Sequence, residues 1–439
     1  MTKLVIFRSS VGSKLHLAIA VTAMTICVLP MFLTGALGVQ LRRSLHFGVA
    51  GLGLAIGTAF LVAAITSYGF GHLAGHLGAS RQMQMAVGVA SVSSLGVSLE
   101  AHSLWELIGW LILGGMANAA CQPATNLYLA GTVDERHQGL AFGIKQSAIP
   151  LSMLLGGLAV PAVALTIGWR WAYGGVAIIG FAVAWYIALL RTRSVHSTTP
   201  PPASGSHGST ADQPIFPSSS PAVDGSQGST SYGNQGMDMR QGWYPRKHEL
   251  PLYLVMLTLA MTLGSTSANA FGAYLVSSSV HHGLSPGLSG ILFGVGAATG
   301  AISRIVSGIM ADRRHGHHLY TVALMFVGGA VGYILLSTGI SWLITPAAIV
   351  AFVLGWGWPG VFTFAIVSTH RATIGQTTGM TQIGAYLGGV IGPVYFGLVV
   401  SNSSYMSAWL VNAVIAILGV VTMLIGRDLL RRHLNRITR

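Results

Sequence analysis

Long apolar segments recur along the whole chain, and short polar stretches separate them. A segment of about 20 apolar residues is long enough to cross the hydrocarbon layer of a bilayer as a helix. The pattern predicts about twelve such helices, over residues 16–37, 48–70, 83–101, 104–130, 140–166, 171–190, 251–276, 287–310, 319–338, 343–368, 377–400 and 407–426. The expected fold class is therefore all-α, in a polytopic membrane protein.

The composition excludes a water-soluble protein. Only 33 of the 439 residues are Asp, Glu, Lys or Arg, and 52% are apolar. A soluble domain cannot cover its surface with so few charges. The formal net charge of +13 is explained by membrane topology and by anionic lipids, so no nucleic-acid partner is expected.

The basic residues indicate the orientation of the chain. With both termini on one side, twelve spans place eighteen Lys and Arg residues on that side and three on the other, Arg42, Arg43 and Arg170. Lys145 and Arg304 remain inside predicted spans. Because basic loops stay in the cytoplasm, we expect both termini to be cytoplasmic in a multi-pass protein of the cell membrane.

The stretch between the sixth and seventh spans differs from its surroundings. It contains "STTPPPASGSHGSTADQPIFPSSSPAVDGSQGSTSYGNQG", a composition rich in Ser, Gly and Pro that is typical of a flexible linker. The sequence thus predicts an N-terminal six-helix bundle over 1–193, a flexible cytoplasmic linker over 194–247, and a C-terminal six-helix bundle over 248–439.

The two predicted bundles resemble each other at equivalent positions. "GHLAGHLG" begins at Gly71 and "GIMADRRHG" at Gly308, an offset of 237 residues. "GIKQ" begins at Gly143 and "GMTQ" at Gly379, an offset of 236 residues. An even number of spans separates the members of each pair, so the repeat is parallel, related by an axis along the membrane normal.

These features resemble the major facilitator superfamily, whose signature between the second and third spans reads approximately Gly-x-Leu-Ala-Asp-Arg-x-Gly-Arg. Its outline is kept here by Gly71, Leu73, Ala74, Gly78 and Arg81, whereas Gly75 and His76 replace the acid and the first arginine. The second bundle keeps Gly308, Ala311, Asp312 and Arg313. The resemblance implies a secondary transporter that works by alternating access.

Asp312 is expected to stabilise one conformation of that cycle. It lies at the cytoplasmic end of a span beside Arg313 and Arg314, where a carboxylate can cap a neighbouring helix or pair with a base. A solvated turn is the alternative, since surface ion pairs contribute little.

Two departures from subfamily motifs argue against a proton-driven drug exporter. Trp110 stands where proton-coupled members often carry an arginine, and Ser152 and Met153 stand where drug antiporters carry Gly-Pro.

Polar residues follow single faces of two spans. Asn118, Gln122 and Asn126 recur at i, i+4 and i+8 in the fourth span. The seventh span carries a similar stripe of Thr258, Thr262, Ser265 and Asn269. By resemblance, these spans line the central cavity of the family, which makes Asn118, Gln122, Asn126 and Asn269 candidate substrate-binding residues. Gln146, which follows Lys145 in the fifth span, and Gln382, which ends the equivalent "GMTQ" of the second bundle, are candidates as well. The alternative is hydrogen bonding between helices.

Lys145 and Arg304 are the cations that the spans contain. A lysine this close to the end of a span can extend to the headgroups, which is the alternative to a role in the cavity. The ten acidic residues all lie in loops, at span ends or in the linker, so the two cations would make the cavity positive and suited to an anion.

An arginine in the eighth span also resembles the monocarboxylate transporter branch, although Gly300 replaces the acid usual four residues earlier. We therefore favour a secondary transporter of a small organic anion such as a monocarboxylate, by symport if a proton is co-transported. Export of neutral or cationic drug-like compounds is the alternative, and a non-transporting membrane sensor a more distant one.

The remaining expectations are absences. The sixteen histidines lie apart from Cys or carboxylate ligands at metal-site spacing, and the chain lacks a phosphate-binding loop. We expect no enzyme activity, metal or cofactor, with the substrate and the lipid bilayer as partners of a monomer.

Overall fold

The computed structural model describes residues 11–133, 141, 143–196, 251–313, 318–369 and 374–437, and the ordered elements of this part are helices. The first half contains α1 (Val11–Ala36), α2 (Gly38–Leu45), α3 (Val49–Leu77), α4 (Ala79–Glu100), α5 (Leu104–Thr132), α6 (Ala148–Ala159) with a π-helical turn over Val160–Ala164, and α7 (Trp169–His196). The second half contains α8 (Leu252–His281), α9 (Pro286–Arg313), α10 (His318–Ser337), α11 (Ser341–Val350) with a π-helical turn over Ala351–Gly355, α12 (Pro359–Thr369), α13 (Ile374–Asn402) and α14 (Tyr405–Ile437).

The predicted membrane helices are confirmed. Eleven described segments are long and apolar enough to span a bilayer. The remaining predicted span, the third (83–101), corresponds to α4, whose 22 residues rise about 33 Å but include several serines. Ser91, Ser93 and Ser94 are buried, and each donates its hydroxyl hydrogen to a backbone carbonyl. The hydroxyl groups of these three serines are thus satisfied within the bundle.

The predicted domain boundaries fall close to helix ends. Helix α7 continues to His196, three residues beyond the predicted limit of 193, and α8 begins at Leu252. Nearly all of the predicted linker, from residue 197 onwards, lies outside the described residues.

Two antiparallel helix pairs join the two bundles. Helix α3 packs against α13, and α6 packs against α9. The α3–α13 pair joins the second and the eleventh spans, and the α6–α9 pair joins the fifth and the eighth spans. A shift of six spans exchanges one pair for the other, which is the relation that the parallel repeat predicts.

The bundles are closed against each other at one end. We call the end at which α1 begins and α14 ends the near end and the opposite end the far end. A Cβ atom added to Gly53 of α3 would lie 2.0 Å from the Pro393 carbonyl oxygen of α13. Tyr274 donates its hydroxyl hydrogen to the Val49 carbonyl (2.9 Å), and the Ala50 amide donates to Ser401 Oγ (3.2 Å). All of these contacts lie in the far half of the helices.

Local signals explain how two helices of the first bundle begin. Ser103 and Glu106 form a reciprocal capping box at the start of α5, which satisfies two amides that the helix leaves free. Gly78 links α3 directly to α4 with a φ of +83°. A residue with a Cβ atom rarely adopts this conformation, so the glycine of the signature loop is required by the turn.

Candidate functional site

Lys145 lies inside the first bundle. Its side chain is 2% exposed. The Nζ atom donates to Gln122 Oε1 at 2.5 Å and to Asn126 Oδ1 at 2.9 Å, both on α5. The ammonium group therefore points toward the fourth span, whereas the alternative based on headgroup contact required it to extend toward the bilayer surface.

An interruption of the fifth span accompanies this position. Residues 143–145 are helical, a turn follows at Gln146 and Ser147, and α6 begins at Ala148. Pro150 explains the turn, because its ring clashes with the carbonyl group four residues earlier, that of Gln146, and removes the helical hydrogen bond to it. Gln146, in this turn, is exposed.

Two of the three amides predicted on one face of α5 belong to this cluster. Gln122 and Asn126 bind the Lys145 amine, as their spacing of four residues on one face allows. Asn118, one turn further along, is 4% exposed, and its Oδ1 atom has no hydrogen-bond partner among the described residues.

Arg304 on α9 binds backbone where the tenth span is broken. Its Nε and Nη2 atoms donate to the Trp356 carbonyl oxygen at 3.3 and 3.0 Å. The π-helical turn ends at Gly355, and α12 begins at Pro359, so this carbonyl lies between two helices. The neighbouring Ser303 donates its hydroxyl hydrogen to the Val353 carbonyl at 2.6 Å. The guanidinium group therefore also stabilises a broken helix, a role that the sequence did not indicate.

The register of α6 and α9 places the two cations at one level. A Cβ atom added to Gly157 would lie 2.5 Å from both the Gly290 oxygen and the Gly294 nitrogen. Lys145 precedes Gly157 by 12 residues, and Arg304 follows Gly294 by 10 residues. At a rise of 1.5 Å per residue, both lie about 15–18 Å from this crossing point. They occupy the near half, in adjoining spans of the two bundles.

Gln146 and Gln382 belong to the same level. They are equivalent in the repeat, with an offset of 236 residues, and both side chains are exposed. Asn126, which binds Lys145, is exposed as well. The near half thus carries several amides, of which Gln122 and Asn126 contact Lys145.

The polar stripe of the seventh span does not join this set. A Cβ atom added to Gly384 or Gly388 of α13 would meet Thr258, Thr262 or Ser265 within 3 Å, so these residues pack inside the second bundle. Asn269 donates to the Ser265 carbonyl at 2.8 Å. It also lines a cavity of about 10 Å³ with Met31, Phe32, Ile56, Phe60, Gly272 and Ala273, which is room for about one water molecule.

No described carboxylate neutralises the two cations. The described residues contain two ion pairs, His102 with Glu106 and Asp428 with Arg432, each four residues apart in sequence. Lys145 and Arg304 bind only neutral oxygen atoms in this part of the chain. Their charges therefore add to a positive potential in the near half.

The residues predicted to have a conformational role are partly described. Gly71, Gly78 and Arg81 are exposed where α3 turns into α4. Gly308, Asp312 and Arg313 belong to the last turns of α9, but their side chains lie outside the described part. The role of Asp312 stays a prediction.

Comparison with known proteins identifies the family. The profile described as Major Facilitator Superfamily matches residues 17–393, with a further match over residues 257–437. The chain belongs to the Major Facilitator Superfamily. It is therefore a multi-pass membrane protein of a transporter family rather than of an enzyme family. The match identifies the superfamily and does not specify a branch within it.

Individual relatives match over short segments. An uncharacterized transporter of the Major Facilitator Superfamily type from Mycobacterium tuberculosis is 36% identical over 101 residues, which cover 23% of this chain and 22% of the relative. A glucose transport protein of Synechocystis is 28% identical over 143 residues, which cover 29% of this chain and 30% of the relative. The matches thus span less than a third of these relatives.

Solved structures share the fold along almost the whole chain. A bacterial homolog of the human lysosomal transporter Spinster, in an inward-facing and unoccupied conformation, has a TM-score of 0.68 at 14% identity and covers 96% of this chain and 97% of that chain. The inward-facing and occupied conformation has a TM-score of 0.65 at 13% identity, with the same coverage. At this identity the likeness shows the Major Facilitator fold alone.

Proposed function

We propose that this Major Facilitator protein transports a small organic anion, such as a monocarboxylate, by alternating access. The observation that carries the proposal is the buried Lys145 amine at the same level as Arg304, with no described carboxylate paired to either. Intramembrane charges are costly and are retained where they bind ions or substrates. Two uncompensated cations in adjoining spans of opposite bundles favour an anion between them.

The amides around Lys145 add hydrogen-bond donors to this field. A lysine amine can only donate, so Gln122 and Asn126 must turn their carbonyl oxygens toward Nζ. Their NH₂ groups then face away from the lysine, and the Asn126 side chain is exposed. A carboxylate accepts hydrogen bonds only, so the cluster supplies both the charge and the donors that such a substrate needs.

Transport assays with purified protein test this function. Proteoliposomes should take up labelled monocarboxylates, and an imposed pH gradient should change the rate if a proton is co-transported. Uptake of cationic or neutral drug-like compounds, with no uptake of any small carboxylate, would contradict the anion proposal and support the alternative substrate class.

We expect Arg304→Gln to weaken substrate binding about tenfold or more, a loss of about 1.4 kcal/mol. Arg304→Lys should be nearly as damaging, because a planar guanidinium can hold the Trp356 carbonyl and still present Nη1 to a carboxylate. Isothermal titration with the transported anion measures both effects. Arg431→Gln, an exposed change on α14, is the matched control. Unchanged affinity in both variants would show that Arg304 stabilises the broken helix and does not bind the substrate.

Topology is tested separately from transport. With both termini cytoplasmic, a protease added from the cytoplasmic face of sealed membranes should first cut between residues 194 and 247. The reason is that Ser-, Gly- and Pro-rich stretches are preferred cleavage sites. Cleavage of this segment only from the external face would reverse the orientation while leaving the fold unchanged.

A further inference from the structure

Trp356 connects the Arg304 contact to the interface between the two bundles. Its carbonyl oxygen accepts hydrogen bonds from the Arg304 guanidinium. Its ring lies edge-on to that of Phe32 on α1, with the ring centroids 6.1 Å apart. A Cβ atom added to Gly272 of α8 would lie 3.2 Å from two carbon atoms of the indole and 3.5 Å from the Met153 methyl group of α6. The indole of the second bundle therefore packs at the contact with the first bundle.

This contact lies where the closed far half begins. A Cβ atom added to Gly35, three residues beyond Phe32 on α1, would lie 3.1 Å from the Gly272 carbonyl oxygen, so the two helix backbones nearly touch there. In the other direction, Lys145 precedes Met153 by eight residues, a rise of about 12 Å along the span. The indole therefore lies between the level of the two cations and the closed far half.

A cavity of about 10 Å³ adjoins the same place. Phe32 and Gly272, which both contact the indole, line this cavity together with Asn269 and mostly apolar neighbours. The cavity has room for about one water molecule. Removing the indole would join the space that it leaves to this cavity. The size of the side chain at position 356 therefore determines how much room there is beyond Arg304.

The indole N–H group lacks the partner that other buried tryptophans have. Trp356 is 4% exposed, and its Nε1 atom is inaccessible and forms no hydrogen bond with a described residue. By contrast, Trp358 Nε1 donates to the Gly355 carbonyl at 3.1 Å, and Trp409 Nε1 donates to Ser278 Oγ at 2.8 Å. A buried donor without a partner is unfavourable, and a purely apolar side chain would pack here without that cost. Packing alone therefore does not explain a tryptophan at this position.

We propose that Trp356 determines the length of the transported anion. The inference rests on the proposed function and narrows the substrate to a short-chain aliphatic monocarboxylate. When the carboxylate binds between Lys145 and Arg304, the other end of the substrate extends toward the indole, because the Arg304 guanidinium is bound to the backbone of the same residue. The ring then forms the wall at which the chain of the substrate must end.

Isothermal titration of the purified full-length protein in detergent, with butyrate and with hexanoate, tests this inference. The quantity compared is the ratio of the hexanoate affinity to the butyrate affinity, because a change that affects both anions alike leaves the ratio unchanged. We expect Trp356→Ala to raise this ratio tenfold or more, since the longer chain can enter the space that the indole leaves. Trp356→Phe leaves a smaller space and should raise the ratio less. Partitioning of hexanoate into detergent is the same for every variant.

Variants of other aromatic residues locate the effect. Phe32→Ala removes the opposite wall and should also raise the ratio, so it decides if Trp356→Ala does not fold. Trp358→Phe is the matched control for Trp356→Phe, because Trp358 is 1% exposed and packs against Phe326 inside the second bundle, with ring centroids 5.0 Å apart. Its ratio should equal that of the unmodified protein.

Two results would overturn the role of Trp356 alone. One is binding of the carboxylates with an unchanged ratio in every Trp356 and Phe32 variant that folds. The other is a rise in Trp358→Phe as large as that in Trp356→Phe. If the unmodified protein binds neither carboxylate, the anion function itself is contradicted, and the inference that rests on it falls as well.

Discussion

Lys145→Gln is expected to weaken the binding of the transported anion tenfold or more. The Nζ charge and a carboxylate about 4 Å apart attract each other by about 4 kcal/mol at an effective dielectric constant of 20. A tenfold loss needs only about 1.4 kcal/mol of this. Glutamine removes the charge, but its NH₂ group can still donate to Gln122 or Asn126, which limits the damage to the fold. Equilibrium binding on purified, folded protein measures the change.

Three further variants separate charge from packing at Lys145. Lys145→Arg keeps the charge and should retain part of the affinity. Asn126→Asp places a carboxylate beside Nζ, so it should cancel the local field and weaken binding about as much as Lys145→Gln. Lys14→Gln, an exposed change near the start of α1, is the matched control and should bind normally. Equal affinity in all four variants would remove the support for an anion site at Lys145.

The membrane helices could be predicted because bilayer thickness determines their length. Apolar runs of the required length gave the order of the helices, and the offset between Gly143 and Gly379 gave the parallel repeat. Helix α4 was predicted despite its serines, which satisfy their hydroxyls on backbone carbonyls within the bundle. Family membership followed from the loop around Gly71 and Gly78 and is confirmed by the sequence match.

The surroundings of the cations could be predicted only in part. The spacing of Gln122 and Asn126 indicated a shared face, and the structure places Lys145 on that face. The direction of the Lys145 side chain depends on the turn at Gln146, which is a local consequence of Pro150. The Arg304 contact depends on where the tenth span breaks, and a uniformly apolar segment does not reveal such a break.

Contacts across the far end were not predictable from periodicity. Glycines were prominent in the sequence, but their partners come from a different part of the chain. Gly53 meets Pro393, and Gly157 meets Gly290 and Gly294. Only the fold brings these residues together. The sequence therefore indicated Lys145 and Arg304 in the near half, but it did not indicate that the two bundles pack against each other at the far end.

Gly53→Ala is expected to slow transport tenfold or more by preventing closure of the far end. The added Cβ atom would lie 2.0 Å from the Pro393 carbonyl oxygen and 2.5 Å from Tyr274 Oη, so α3 and α13 must separate. Overpacking of this kind costs about 1–3 kcal/mol, and about 1.4 kcal/mol shifts a two-state population tenfold. Gly157→Leu should act in the same direction at the α6–α9 contact, whereas Gly109→Ala, with no atom within 4 Å, should transport normally.

Cysteine accessibility tests whether Gly53→Ala slows transport by changing which end of the protein is open. In a background of Cys27→Ser and Cys121→Ser, Ala273→Cys reports on the far end and Gln382→Cys on the near end, since Ala273 is 4% exposed and Gln382 is exposed. Gly53→Ala should raise labelling of the first reporter and lower labelling of the second, because opening one end of an alternating-access transporter closes the other. Slower transport with unchanged labelling at both positions would show that the substitution acts on folding or on the substrate site, and not through the contact between α3 and α13.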